Sequence, residues 1–246
     1  MGYLRAILVI LFLAFFFLFG LLVRLYIFLT KRKDELASWR AYYAYVQWGF
    51  KCVAFLSGSK VTLIGTEKVP TDRAFLYVPN HRSIYDLILL AAHTPCAFAP
   101  ISKMSLKKVP FLSKWMELIH SIFLDREDVQ KGAEMVKEAV DLIKTGHSVL
   151  IFPEGTRSKV EGEMGPFHGG SFKIAIRADA PVVPVTIVNT GNIFEPHAPS
   201  IHSAHVIIEF GDPIETKGMS VAERKALPDT VKEWIAQTYE KDKELI

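Results

Sequence analysis

The 246 residues, half of them hydrophobic, suffice for one sizeable core and are far too apolar for a disordered chain. Cys52 and Cys96 sit in apolar company with no Cys or His at metal-ligand spacing, which argues against a zinc site or disulfide framework and fits a reducing compartment. The net charge of +3 hides an asymmetry, since residues 1 to 60 carry eight Lys and Arg against two acids and the remainder 21 against 24.

The basic N-terminal segment is also the most apolar one. Residues 6 to 23 read AILVILFLAFFFLFGLLV, 18 positions without a charge, and LYIFL follows Arg24 before Lys31-Arg32-Lys33. At about 1.5 Å per residue, such a helix is long enough to cross a bilayer. No small-x-small cleavage site follows, so the segment is expected to stay attached. Asp34 is placed to cap a second helix, and Trp39, Tyr42, Tyr43, Tyr45, Trp48, Phe50 and Phe55 are aromatics of the kind that settle at headgroup depth. Two arrangements stay open: a hairpin lying in the interface, or a single span with the cationic triplet on its cytoplasmic side. Either places the rest of the chain on the cytoplasmic face of the cell membrane. A buried hairpin of a soluble protein is the competing reading, disfavoured because a core helix is rarely apolar on every face over 18 positions. The expected division is a membrane-anchoring hairpin, residues 1–57, and one catalytic domain, residues 58–246.

From Val61 onward, strand-like and helix-like runs alternate. Strands are predicted at 61 to 64, 74 to 79, 121 to 124, 149 to 152, 182 to 188 and 205 to 210. Between the third and fourth, Val129, Ala133, Val136, Val140 and Ile143 recur at helical spacing, and Gly146 ends the pattern. This rhythm predicts an α/β fold, a sheet containing mostly parallel strands and flanked by helices.

Between the second strand and an apolar helical run lies a polar insert, Asn-His-Arg-Ser-Ile-Tyr-Asp, residues 80 to 86. Ligands of open α/β sheets bind beyond the carboxyl ends of the strands. If the strands run parallel, His81, Arg126 and Glu154-Gly155-Thr156-Arg157 all emerge at that edge. His81 and Asp86 straddle a turn into a helix, where a carboxylate can fold back onto an imidazole. The similarly spaced His120 and Asp125 lie along a predicted strand, where residues five apart point to opposite faces. A histidine oriented by a carboxylate is a general base, since an ordinary imidazole is mostly neutral at pH 7. No Gly-x-Ser-x-Gly elbow is present and no protein nucleophile is apparent, so His81 is expected to activate a substrate hydroxyl directly. Ser83 reads as the cap of the following helix.

Residues 80–86 and Phe152-Pro153-Glu154-Gly155-Thr156-Arg157-Ser158, with Ile122-Phe123-Leu124-Asp125-Arg126 and Val183-Pro184-Val185 in the same order, resemble the four signature blocks of the glycerolipid acyltransferase superfamily. The resemblance implies acyl transfer from a thioester, acyl-CoA or acyl-carrier protein, to the sn-2 hydroxyl of lysophosphatidate, giving phosphatidate. His81 would take the hydroxyl proton and Asp86 would orient His81. Arg126, Glu154, Gly155, Thr156 and Arg157 would bind substrate, with the arginines on its phosphate, a match of guanidinium fork to dianion that chemistry favours. Glu154 would repel that phosphate, so it is expected to orient an arginine or a glycerol hydroxyl. Amides near Gly155 are candidate oxyanion donors. Lys103, with Lys107 and Lys108, is either a solvated face or a basic patch for the donor carrier or anionic lipids.

Residues 167 to 173, FHGGSFK, follow the family pattern only loosely, with His168 where a basic residue is common. The other histidines read as surface or core residues. No metal, cofactor or nucleic acid partner is expected; the acyl donor is a substrate, and the bilayer is a partner. Two alternatives stay open: an enzyme of the same superfamily for glycerol-3-phosphate or another lysolipid, and a non-catalytic phospholipid-binding protein.

Overall fold

The computed structural model describes residues 1–31, 33–125 and 129–246. Seven strands form one sheet: β1 (Lys60–Ile64), β2 (Leu76–Pro79), β3 (Phe98–Lys103), β4 (Ile122–Leu124), β5 (Ser148–Leu150), β6 (Val182–Val188) and β7 (His205–Phe210). Their order is β1-β7-β6-β2-β5-β3-β4, and every neighbouring pair is parallel except β6 and β7. The α/β expectation holds, and each predicted strand overlaps an observed one. β3 was not foreseen, because Pro100 breaks its pattern and lacks the N–H that a central strand normally donates. Here Pro100 stands opposite Leu150 in the β3–β5 register.

β2 is fully buried, so both of its faces must be apolar. Phe75 and Tyr77 point to the face covered by α1 (Gly2–Lys31), α2 (Glu35–Ser57) and α3 (Ile84–His93), and Leu76 and Val78 to the face covered by α5 (Val129–Lys144), α6 (Gly169–Ala178) and α7 (Val221–Lys243). Each such side chain contributes about 1.5–3 kcal/mol through burial. The short α4 (Leu112–Leu118) packs on α2.

Asp34 caps α2 as expected, accepting from Ala37 N at 2.9 Å, and Gly58 ends the helix in the left-handed conformation. α1 and α2 pack as a pair because glycines let aromatic rings close in: a Cβ at Gly49 would lie 2.5 Å from the Phe16 ring, and one at Gly20 would lie 2.6 Å from Trp115 of α4. Phe16 stacks on Tyr45, whose hydroxyl donates to Phe16 O at 2.7 Å. The rest of α1 faces outward, and only 17% of its most apolar window is buried. That weighs against a core helix; residues 2 to 30 are long and apolar enough to cross a membrane.

Candidate active site

Where β2 ends, Asn80 ties it to β6: Nδ2 donates to Ile187 O at 2.9 Å, and Ile187 N donates to Asn80 Oδ1 at 2.8 Å. The next three residues turn the chain into α3. Ser83 is its N-cap, with Tyr85 N donating to Ser83 Oγ at 3.0 Å, and Asp86 Oδ2 accepting from Ser83 N at 2.7 Å completes a reciprocal capping box. The same Asp86 oxygen also accepts from Arg82 N at 2.6 Å and meets His81 Nδ1 at 2.9 Å. Asp86 Oδ1 accepts from the Thr190 hydroxyl.

Asp86 is fully buried, and its charge is tolerable because four donors surround it. A carboxylate at Asp86 offers His81 only acceptors, so Nδ1 is the donor of this pair and Nε2 is the nitrogen turned away from it. The imidazole lies flat on Phe152, 3.8 Å between centroids and 19° between planes, so packing and hydrogen bond both fix its rotation.

Glu154 reaches the same turn from the other side of β2. Its Oε1 accepts from His81 N at 2.7 Å and its Oε2 from Gly165 N at 2.8 Å, so this buried carboxylate ties the His81 turn to the 158–165 loop. The sequence suggested an arginine or a glycerol hydroxyl as its partner; the partners observed are these two backbone amides. Burial pushes its pKa above the usual carboxylate range, partly offset by those two amides.

Gly155 has a φ of +70°, which favours glycine, and its N–H closes a turn onto Phe152 O at 3.1 Å. Gly155's own amide is therefore occupied, whereas the amides of Thr156 and Arg157 carry no hydrogen bond among the described residues. Arg157 is half exposed, and its Nη1 donates to Glu195 Oε1 at 2.9 Å. Glu195 also accepts from Ser83 Oγ at 2.6 Å and Ile84 N at 2.8 Å. Its charge and burial together push the Tyr85 hydroxyl up to about 12, burial being the larger cause.

The parallel pairing of β2, β5, β3 and β4 brings the ends of these strands to one edge, with Lys103 exposed at the end of β3 and opposite Leu124 in register. Arg126 lies outside the described residues. Beside the dyad a cavity of about 520 Å³ opens between β3, β4, β5, α5 and α6. Ile101, Met135, Val136 and Ile151 give it an apolar wall, while His168, Ser171 and Lys173 line the other side. Phe152 also lines it, so the ring under His81 is shared between dyad and cavity.

Thr190 and Glu195 escaped sequence reasoning. Both follow β6 and reach across more than a hundred positions, Thr190 to Asp86 and Glu195 to the first turn of α3, and the only local signal was a polar run just past a strand's carboxyl end. Of the remaining histidines, His120 and His147 stack at 5.0 Å beneath Trp39, and burial lowers the pKa of both. His120 precedes β4 in a left-handed conformation, and His147 Nε2 is buried without a partner among the described residues.

Residues 60–188 match the family model described as Acyltransferase. A 1-acyl-sn-glycerol-3-phosphate acyltransferase of Saccharomyces cerevisiae is 30% identical over 223 residues, 89% of this chain and 71% of that protein. One of Borreliella burgdorferi is 27% identical over 190 residues, 77% of this chain and 76% of its own. Among solved structures, the 1-acyl-sn-glycerophosphate acyltransferase PlsC of Thermotoga maritima superposes with a TM-score of 0.83 at 27% identity, covering 99% of this chain and 98% of that one.

Proposed function

The chain belongs to the acyltransferase family, and from that membership we propose that it uses His81 to acylate lysophosphatidate at a membrane surface. Its reaction is that of a 1-acyl-sn-glycerol-3-phosphate acyltransferase, which makes phosphatidate for phospholipid synthesis. The observation that carries the mechanism is the bond from His81 Nδ1 to Asp86 Oδ2, which leaves Nε2 free to accept a proton.

Nε2 takes the proton of the sn-2 hydroxyl as the oxygen attacks the thioester carbonyl. Asp86 holds the ring and stabilises the imidazolium that forms. The C–S bond then breaks, and the proton leaves on the thiolate. The Thr156 and Arg157 amides are the oxyanion donors this reading favours, and Gly155 allows the chain to turn there. Arg157 and Arg126 hold the phosphate, and Lys103 adds positive charge at the same edge. Glu154 acts through the backbone of His81, as a positioning residue. The cavity behind Phe152 takes the acyl chain of the donor, acyl-CoA or acyl-carrier protein; its apolar wall supports this use.

Lysophosphatidate stays in the bilayer, so the enzyme must bring its site to headgroup level. Residues 1–57 anchor it there, on the cytoplasmic face, and residues 58–246 do the chemistry. The full chain, in mixed micelles with acyl-CoA or acyl-carrier protein and equimolar lysophosphatidate and glycerol-3-phosphate, is expected to form phosphatidate. Acylation of glycerol-3-phosphate in preference, or of neither, would overturn the assignment.

A further inference from the structure

Residues 101 to 116, which run from the end of β3 into α4, hold four lysines and no acid. Ser105 to Phe111 are seven consecutive exposed residues, and large apolar side chains alternate there with the charges: Leu106 is 37% exposed, Val109 42% and Phe111 63%, beside Lys107 and Lys108. A soluble loop gains nothing from presenting a phenylalanine to water, and Phe111 does so with a φ of +62°, a strained conformation for a non-glycine residue.

This loop is joined to α1. The Phe111 ring meets Phe17 at 6.4 Å, and four residues further along its helix Trp115 packs against Phe16, Tyr45 and Tyr42. Leu13 and Leu21, one turn either side of Phe17 on α1, are 36% and 53% exposed. The loop therefore continues the apolar surface of α1 to the sheet edge that carries His81.

We propose that residues 105–111 form a second membrane contact, with Leu106, Val109 and Phe111 entering the interface and Lys107 and Lys108 binding anionic lipid headgroups. This rests on the reading of a bilayer substrate and adds to it a choice of surface: the strand-edge side of the domain is held down by charge as well as by α1. Each lysine near an anionic bilayer strengthens the attachment. An acidic carrier protein would match the lysines but leave the three apolar side chains without a role, so the lipid surface fits better.

A single reporter tests it. The full chain carries an environment-sensitive fluorophore at Phe111→Cys in a Cys52→Ser, Cys96→Ser background, with Val221→Cys on α7, across the sheet, as control. With vesicles rich in phosphatidylglycerol, the position 111 label should brighten and shift to the blue, less so with phosphatidylcholine alone, and Lys107→Glu with Lys108→Glu should remove the difference. The 221 label should stay unchanged. Equal responses at the two positions, indifference to lipid charge, or a response only to added acyl-carrier protein would each overturn the proposal. The unsubstituted chain gives a second reading: anionic vesicles should shield Lys107 and Lys108 from trypsin relative to phosphatidylcholine vesicles, and equal cleavage would contradict it. Neither readout uses turnover, so a failure here leaves the chemistry at His81 untouched, and an inactive site leaves this contact testable.

Discussion

Arg157 Nη1 donates to Glu195 Oε1 at 2.9 Å, and the same carboxylate holds the first turn of α3 through Ser83 Oγ and Ile84 N. The arginine proposed to bind the phosphate is thus held by a carboxylate. The pair is partly exposed, and such pairs contribute about 0–1 kcal/mol. On the proposed role, an incoming dianion would compete with Glu195 for Arg157 and would meet the Glu195 charge. Glu195→Gln keeps an acceptor for Ile84 N and removes that repulsion. KM for lysophosphatidate should fall by about two- to fivefold with kcat nearly constant, as expected for an interaction acting on ground-state binding. Steady-state kinetics in mixed micelles checks this; a rise in KM would mean that Glu195 serves to hold Arg157 in its binding position.

The cavity behind Phe152 makes a prediction about chain length. Gly132 of α5 lines it, and a Cβ there would meet nothing within 4 Å. Gly132→Phe should fill part of it at little cost to folding, since glycine is the poorer helix former by about 1 kcal/mol relative to alanine. The donor giving the highest kcat/KM should become shorter by two or more carbons, about one CH₂ per 0.8 kcal/mol of lost burial. An unchanged profile would place the acyl chain elsewhere.

The hairpin depends on close approach at glycines. Gly49→Leu would drive a side chain into the Phe16 ring. Overpacking costs about 1–3 kcal/mol, and here relief comes by moving α1 away from α2. Thermal unfolding in detergent should begin several degrees lower, a shift in line with that cost. Activity on liposomes should fall more than activity in micelles. Equal losses in both would mean that the hairpin has no part in reaching the bilayer.

Asp242 is fully buried on α7 beside Glu209, with Lys241 Nζ 3.4 Å from its Oδ1. Burial, then the Glu209 charge, pushes its pKa up from 3.8 to about 6. The folded state therefore holds this proton more tightly than the unfolded state does. The contribution to stability is fully present below the unfolded value and is lost as pH rises through the folded one, so it declines between about pH 4 and pH 6. Asp242→Asn should remove that decline: its melting temperature relative to the parent should rise from pH 4 to pH 7. A constant difference across the range would refute the buried proton.

How far these features were legible in the sequence follows from the range of the contacts. Local chemistry was readable: the Asp34 and Ser83 caps, the α5 periodicity and the turn that folds Asp86 back onto His81 each involve residues within a few positions. β3 was hidden by Pro100, and α7 by Pro228 inside its helix. The support of the dyad was hidden because Thr190 and Glu154 reach it, and Glu195 reaches the helix turn beside it, from beyond other strands, and no local pattern marks a residue whose partner is 70 or more positions away. For Glu154, charge complementarity suggested an arginine or a glycerol hydroxyl as partner, and the two backbone amides on its oxygens, distant in sequence, could not be foreseen.

The central claim is that His81, held by Asp86, deprotonates the acceptor hydroxyl. Thiol release from an acyl thioester, followed in mixed micelles with and without lysophosphatidate for the parent and His81→Ala, tests it directly. The rate should depend on the acceptor and fall by at least about a hundredfold in the variant, within the range for a general base, with the circular dichroism unchanged. Release that persists without the acceptor, or a variant that keeps the parent rate, would contradict it.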